Sequence, residues 1–186
     1  MSTVHDFNKS LEWSHAQEDQ PFWLEVYAKA FPTLVNMHST RADGWAQRGG
    51  IDRTIILEDG TVITVDEKVR AEKWPDILIE HWSDLNRQVP GWGHREKSLT
   101  CDYIAYAMIP SQICYLLPYQ VLRRAIKLNG ETWWNKAHSA SPEYRDYQVV
   151  KANNGNYWTY SYTVPIEILL NAIRDCLIVT WEGTNG

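Results

Sequence analysis

The sequence predicts an α/β protein, a mixed central β-sheet flanked by helices. Three observations predict it: a capped amphipathic segment near the start, two β-rich runs joined by a tight turn at 51–65, and helical patterning again after residues 118 and 165. A chain of 186 residues is of single-domain size and long enough for a full core. The expectation is one domain over 1–186, with its core at about 20–130 and a C-terminal extension over 131–186.

A first helix is expected from about Gln20 to Phe31. Asp19 suits the N-cap and Pro21 the first turn, and Phe22, Trp23, Val26, Tyr27 and Ala30 make an apolar stripe. Pro32 ends it. Residues 37–50 are polar and contain glycine, so they read as a loop. Ile51–Leu57 and Thr61–Val65 read as strands around Glu58-Asp59-Gly60. Pro75-Asp76 introduces a third strand over Ile77–Glu80, and residues 83–98, with Pro90-Gly91-Trp92-Gly93, read as a flap-like loop. Cys101–Ile109 and Ile113–Leu117 are expected strands broken by Pro110-Ser111. Tyr119–Leu128 is an expected helix stopped by Asn129-Gly130. Residues 131–160 lack a clean period until a hairpin around Asn153-Asn154-Gly155. Val164-Pro165 introduces a closing helix at about Ile166–Cys176.

The hairpin at 51–65 is the most informative stretch. A three-residue turn with Gly60 left-handed sets Asp52 opposite Asp66, with Lys68 on the face of Asp66. A two-residue Asp59-Gly60 turn sets Asp52 opposite Glu67 and moves Lys68 to the other face. Facing carboxylates repel by roughly 0.2–1 kcal/mol on a plain sheet surface. A divalent cation between them reverses that sign and points to a metal site. Of the 23 acidic residues only Asp66 has a lysine two positions on.

Asp52, a hairpin and then Asp66-x-Lys68 resembles the core of the PD-(D/E)XK nuclease superfamily, in particular its small phage-encoded members. The order of Glu25, Asp76-Ile77-Leu78-Ile79-Glu80, Pro90-Gly91-Trp92, Asp102-Tyr103-Ile104-Ala105-Tyr106 and Leu117-Pro118-x-x-Val121-Leu122-Arg123 extends the resemblance over roughly residues 20–130. The sequence departs from the pattern in having Ile51, where Pro is usual, before the first acid, and a charged Glu67 inside the triplet, which leaves open whether Asp66 or Glu67 faces the metal.

The resemblance implies a restriction-endonuclease-like fold and Mg²⁺- or Mn²⁺-dependent hydrolysis of phosphodiester bonds, chiefly in DNA. Its implied catalytic set is Asp52, Asp66, Lys68 and Glu80. Asp52, Asp66 and the backbone carbonyl of Glu67 would hold the metal, a hard cation that takes oxygen ligands and keeps waters. Glu25, Gln47 and Arg53 are additional candidates. Arg70, Lys73, Arg95 and Lys97 are the candidate nucleic-acid contacts, with Arg123, Arg124 and Lys127 a further basic cluster. The alternative is a catalytically inactive nuclease-fold protein acting as a nucleic-acid-binding or phage interaction and regulatory protein. A homodimer would cut two strands symmetrically.

A formal charge of −5 and a pI of 5.7 run against nucleic-acid binding on the whole surface, so the local clusters must supply the affinity. Ten Trp and ten Tyr include candidates for base stacking. No apolar run approaches a membrane span, and Asp6 and Glu12 speak against a signal peptide. Cys101, Cys114 and Cys176 form no close pair, which fits the reducing cytoplasm of a bacterial host cell, and the six dispersed His show no metal-binding spacing.

Overall fold

Phe22–Ala30 forms helix α1 in the computed structural model, which describes residues 21–40 and 42–182. The expected cap at Asp19 and the acidic start of the chain lie outside the described residues. Trp23, Val26 and Tyr27 are buried on one side of α1, as the apolar stripe requires.

Strands β1 (Leu34–Ser39), β2 (Arg53–Leu57), β3 (Val62–Arg70), β4 (Asp76–Asp84), β5 (Val89–Pro90), β6 (Tyr103–Met108), β7 (Ile113–Pro118), β8 (Val149–Asn153), β9 (Trp158–Pro165) and β10 (Leu177–Thr180) follow. Helix α2 (Gly44–Arg48) lies between β1 and β2, α3 (Tyr119–His138) after β7, and α4 (Ile166–Ile173) after β9. The chain is therefore α/β. Among the described residues no helix is long and apolar enough to cross a membrane.

The strands form two sheets, in two units assembled from interleaved segments. One unit takes the described residues up to Lys73, Leu99–Gln120 and the chain from Asp175. Its sheet has the order β1-β2-β3-β6-β7-β10 and is mixed, because β3 and β6 run parallel while every other pair is antiparallel. Side chains alternate across it. Ile55, Val65, Ala105, Ala107, Cys114, Leu116 and Val179 pack with Trp23, Val26 and Tyr27 of α1 and with Phe31, which follows it, into one core.

The other unit takes Trp74–Ser98 and Val121–Arg174. Its sheet is antiparallel, ordered β5-β4-β9-β8, with Ile77 opposite Val164 and Glu80 opposite Ser161. The hairpin at Asn154-Gly155 forms as expected, with Gly155 at φ +81°.

Several expectations need correction. The loop at 37–50 holds β1 and α2. The strand begun at 61 runs to Arg70, because β6 pairs along it from Val65 to Arg70. The third strand joins β9 rather than the hairpin's sheet, and Glu80 lies in its middle rather than at its end. Helix α3 passes through Asn129-Gly130, where Asn129 Nδ2 donates to the Ala125 carbonyl, and continues to His138. The closing helix ends at Ile173 with Arg174 left-handed at φ +56°, which frees Leu177–Thr180 to pair with β7.

Candidate metal-binding and catalytic site

The turn between β2 and β3 is the three-residue form. The Leu57 N–H bonds the Thr61 carbonyl at 2.9 Å, and Gly60 has φ +82°. Ile55 pairs with Ile63 and Arg53 with Val65, where the ladder ends. Asp52 stands one residue beyond, its N–H on the Val65 carbonyl at 2.8 Å.

The chain entering Asp52 is held from two sides. Thr40 donates to it twice: its N–H bonds the Asp52 carbonyl at 2.9 Å and its hydroxyl the Ile51 carbonyl at 2.7 Å. On the other side Thr100 donates its N–H to the Gly49 carbonyl at 2.9 Å, and a Cβ on Gly50 would fall 2.8 Å from Leu99 Cδ2. Gly50 also has φ +68°, so glycine is required there twice over. The N–H of Leu99 in turn bonds Tyr119 Oη at 2.9 Å.

Asp52 Oδ2 accepts the Glu67 N–H at 2.8 Å, taking the place of the missing β2 partner. The N–H and C=O of one strand residue project to the same side, so the Glu67 carbonyl faces the side where Asp52 stands. Asp66 is buried and ion-paired to Lys68, which keeps about 30% of its side chain exposed. Burial raises the Asp66 carboxyl to about 7. The Lys68 charge opposes this, while the neighbouring Asp52 carboxyl adds to it by charge and by hydrogen bonding. Cys101 lies within electrostatic reach of the same group. Burial pushes its thiol up to about 12, with Asp66 adding and Lys68 opposing. Asp102 clasps β3 to the entry of β6, accepting the Thr64 N–H and hydroxyl at 2.8 Å each.

Glu67 points the other way. Arg53 Nε donates to its Oε1 at 2.6 Å and Arg53 Nη2 to its Oε2 at 3.3 Å. Tyr27 Oη donates to the same Oε1 at 2.8 Å, so α1 supplies a third contact. All three residues are buried. Burial, followed by the Glu67 charge, pushes the Tyr27 phenol well above its ordinary range. Of the two acids left open by the sequence, Asp66 shares the face of Lys68 and Glu67 is held in the core.

The structure thus gathers Asp52, Asp66, Lys68 and the Glu67 carbonyl. Arg53 is not part of that group, since it serves Glu67 on the α1 face. Glu25 is also elsewhere, bonded by Lys29 Nζ at 2.7 Å and by the Glu182 N–H at 3.0 Å, and these contacts hold its carboxyl below the usual range. Gln47 falls in α2, and its side chain lies outside what is described. Arg70 closes β3 and Lys73 follows it, exposed. Glu80, Arg95 and Lys97 belong to the other unit. Glu80 packs there over Gly91, where a Cβ would fall 2.5 Å from Glu80 Cγ. Sequence reading missed Tyr27 as a polar partner, because its place in the apolar stripe explains its burial without the hydroxyl.

Among the described residues no group of three or more His, Cys, Asp or Glu side chains converges on one point. Two hard carboxylates and one carbonyl remain, a donor set that suits Mg²⁺ because this ion keeps several waters. Comparison of the chain with protein-family models, curated proteins and solved structures gives no match.

Proposed function

We propose that the chain is a metal-dependent nuclease on a restriction-endonuclease-like scaffold, hydrolysing phosphodiester bonds in DNA. The observation that carries this reading is the separation of the two adjacent acids of β3. Glu67 already provides the buried ion pair that a stable core could use, with Arg53 and Tyr27 satisfying it. Asp66 is buried as well and pairs with Lys68, yet it also has the Asp52 carboxyl beside it, and two neighbouring carboxyls with one lysine call for a different reason.

A bound Mg²⁺ or Mn²⁺ would polarise the phosphate and lower the pKa of a bound water. Asp52, Asp66 and the Glu67 carbonyl would hold it. Lys68, on the same face, would stabilise negative charge developing on the phosphate. The water oxygen would form the new P–O bond as the ester P–O bond breaks; the proton it gives up would pass to solvent, and the leaving alkoxide would take one from solvent. Arg70 and Lys73 would track the phosphates beyond β3, and Glu80 is a third acid to be tested in its own right. The reading sets the protein in a bacterial cytoplasm, as a host or phage product.

The test is cleavage of end-labelled duplex, single-stranded and branched DNA with Mg²⁺ or Mn²⁺ and with chelator. Asp66→Ala and Lys68→Ala should each reduce cutting at least a hundredfold while Arg70→Ala mainly weakens binding. Absence of cutting by the wild type on every substrate, with no metal-induced rise in melting temperature, would sink the catalytic reading and favour a nucleic-acid-binding or interaction role.

A further inference from the structure

The unit built from β4, β5, β8, β9, α3 and α4 holds a recess of about 220 Å³ that no role above uses. Four planar rings, those of His81, His94, Trp134 and Tyr162, form part of its wall. His81 lies 4.2 Å from Trp134 between ring centres, tilted by 32°, and 4.5 Å from His94, while Tyr162 stands edge-on to Trp134 at 90°. Arg95 and Lys127 line the same recess, both exposed, so the basic clusters around 95 and 127 meet at one opening.

Gly130 supplies the space. It lies inside helix α3, where glycine is a much poorer helix former than alanine. Close packing does not demand it. A Cβ there would meet Ile126 Cγ2 at 3.4 Å and Tyr162 Oη at 3.6 Å, ordinary contact distances. A helix that gives up propensity without steric need leaves room for something else.

The chemistry of the walls narrows what that is. Burial, with the charges of His94, Arg95 and His138, lowers His81 to about 4, and burial lowers His94 as well. Both rings are therefore neutral near pH 7 and suited to stacking, and since His94 Nδ1 accepts the Glu96 N–H at 3.2 Å, its Nε2 is left as the donor. The other charged groups at the recess are Arg95, Lys127 and Glu131. The volume lies below the roughly 300–1,000 Å³ of pockets that enclose a drug-sized molecule, which limits the occupant to about one ring system. Aromatic walls with cations at the opening match a base and its phosphate.

We propose that this recess takes one unpaired nucleobase of a single-stranded nucleic acid, with Arg95 and Lys127 on the adjoining phosphates. The assignment rests on the nuclease reading for its biological sense and extends it to a substrate class, a strand with unstacked bases.

The experiment is equilibrium binding, in chelator, of a short labelled single-stranded oligodeoxynucleotide, its abasic counterpart, the matching duplex and a nucleoside monophosphate. The single strand should bind about tenfold or more tightly than the abasic strand, the scale of one base–aromatic stack. Gly130→Met, which fills the recess, should reduce the single strand to the abasic affinity with no loss of melting temperature. Arg95→Glu and Lys127→Glu, both at exposed positions, should weaken both strands alike. Equal binding of normal and abasic strands, or unchanged binding by Gly130→Met, overturns the proposal. Equal affinity for the monophosphate and the strand overturns its assignment to a polymer. Metal-dependent cutting that survives with wild-type-like binding by Gly130→Met would remove this inference alone. Recess-dependent binding without any cutting would remove the nuclease reading alone.

Discussion

At the scale of single residues, the central feature is that neighbouring acids on β3 have opposite fates. Asp66 has its carboxyl raised by burial to about 7 from 3.8, so between those values the folded protein binds a proton that the unfolded chain releases. Stability from this group is complete below pH 4, declines as pH rises toward 7, and stays low above it, by on the order of a few kcal/mol. In chelator, Asp66→Asn should therefore melt higher than the wild type at pH 8, with the difference vanishing near pH 4. Thermal unfolding across that range checks it, and a lower melting temperature for the variant at pH 8 would contradict it. Glu67 behaves as a structural ion. Arg53→Ala leaves it buried beside Tyr27 and should cost about 3–5 kcal/mol in urea unfolding, whereas Tyr27→Phe should cost about 1–3 kcal/mol. The nearness of Asp52 to Asp66 was legible because strand alternation and one turn bring them to one place, although the ladder itself ends at Arg53 and Val65. The capture of Glu67 was not, because it depends on a hydroxyl carried by a helix 40 positions away in sequence.

At the scale of elements, the hairpin was readable in place, with its turn length left between two values. Asp59-Gly60 permits two turn lengths, and the left-handed Gly60 with the Leu57–Thr61 pair selects the longer. No atom lies within 4 Å of a Cβ at Gly60, so Gly60→Ala is a pure backbone change. It should destabilise the fold by about 1–2 kcal/mol in urea unfolding, the cost of a left-handed non-glycine residue. Gly50→Ala adds a collision with Leu99 to the same strain and should lose more stability, and with it any metal-induced rise in melting temperature. The elements that escaped the sequence share one cause, which is that distant partners override local signals. Asn129-Gly130 is a good stop in isolation, yet α3 runs through it as Trp133 and Trp134 find partners beyond. Asp76–Asp84 was seen as too short because its mate, β9, lies about eighty residues downstream.

At the scale of the whole molecule, the chain passes between its two units, among the described residues, after residues 73, 98, 120 and 174. The net charge of −5 hides what the local clusters do. If Arg95 and Lys127 each meet a phosphate, the slope of log affinity against log salt for single-stranded DNA should flatten by about 0.7 for each one reversed to Glu. One topological fact has a consequence in time. Hairpin β2–β3 closes over three residues, work of about 1–10 μs, while the parallel partner β6 begins more than thirty residues after β3. A hairpin that closes ahead of β6 would leave Asp66 in water, ionised at neutral pH, until β6 pairs with β3. Its burial belongs to a later event, so the final folding phase should quicken as pH falls from 8 to 6, when the carboxyl can enter the sheet carrying its proton.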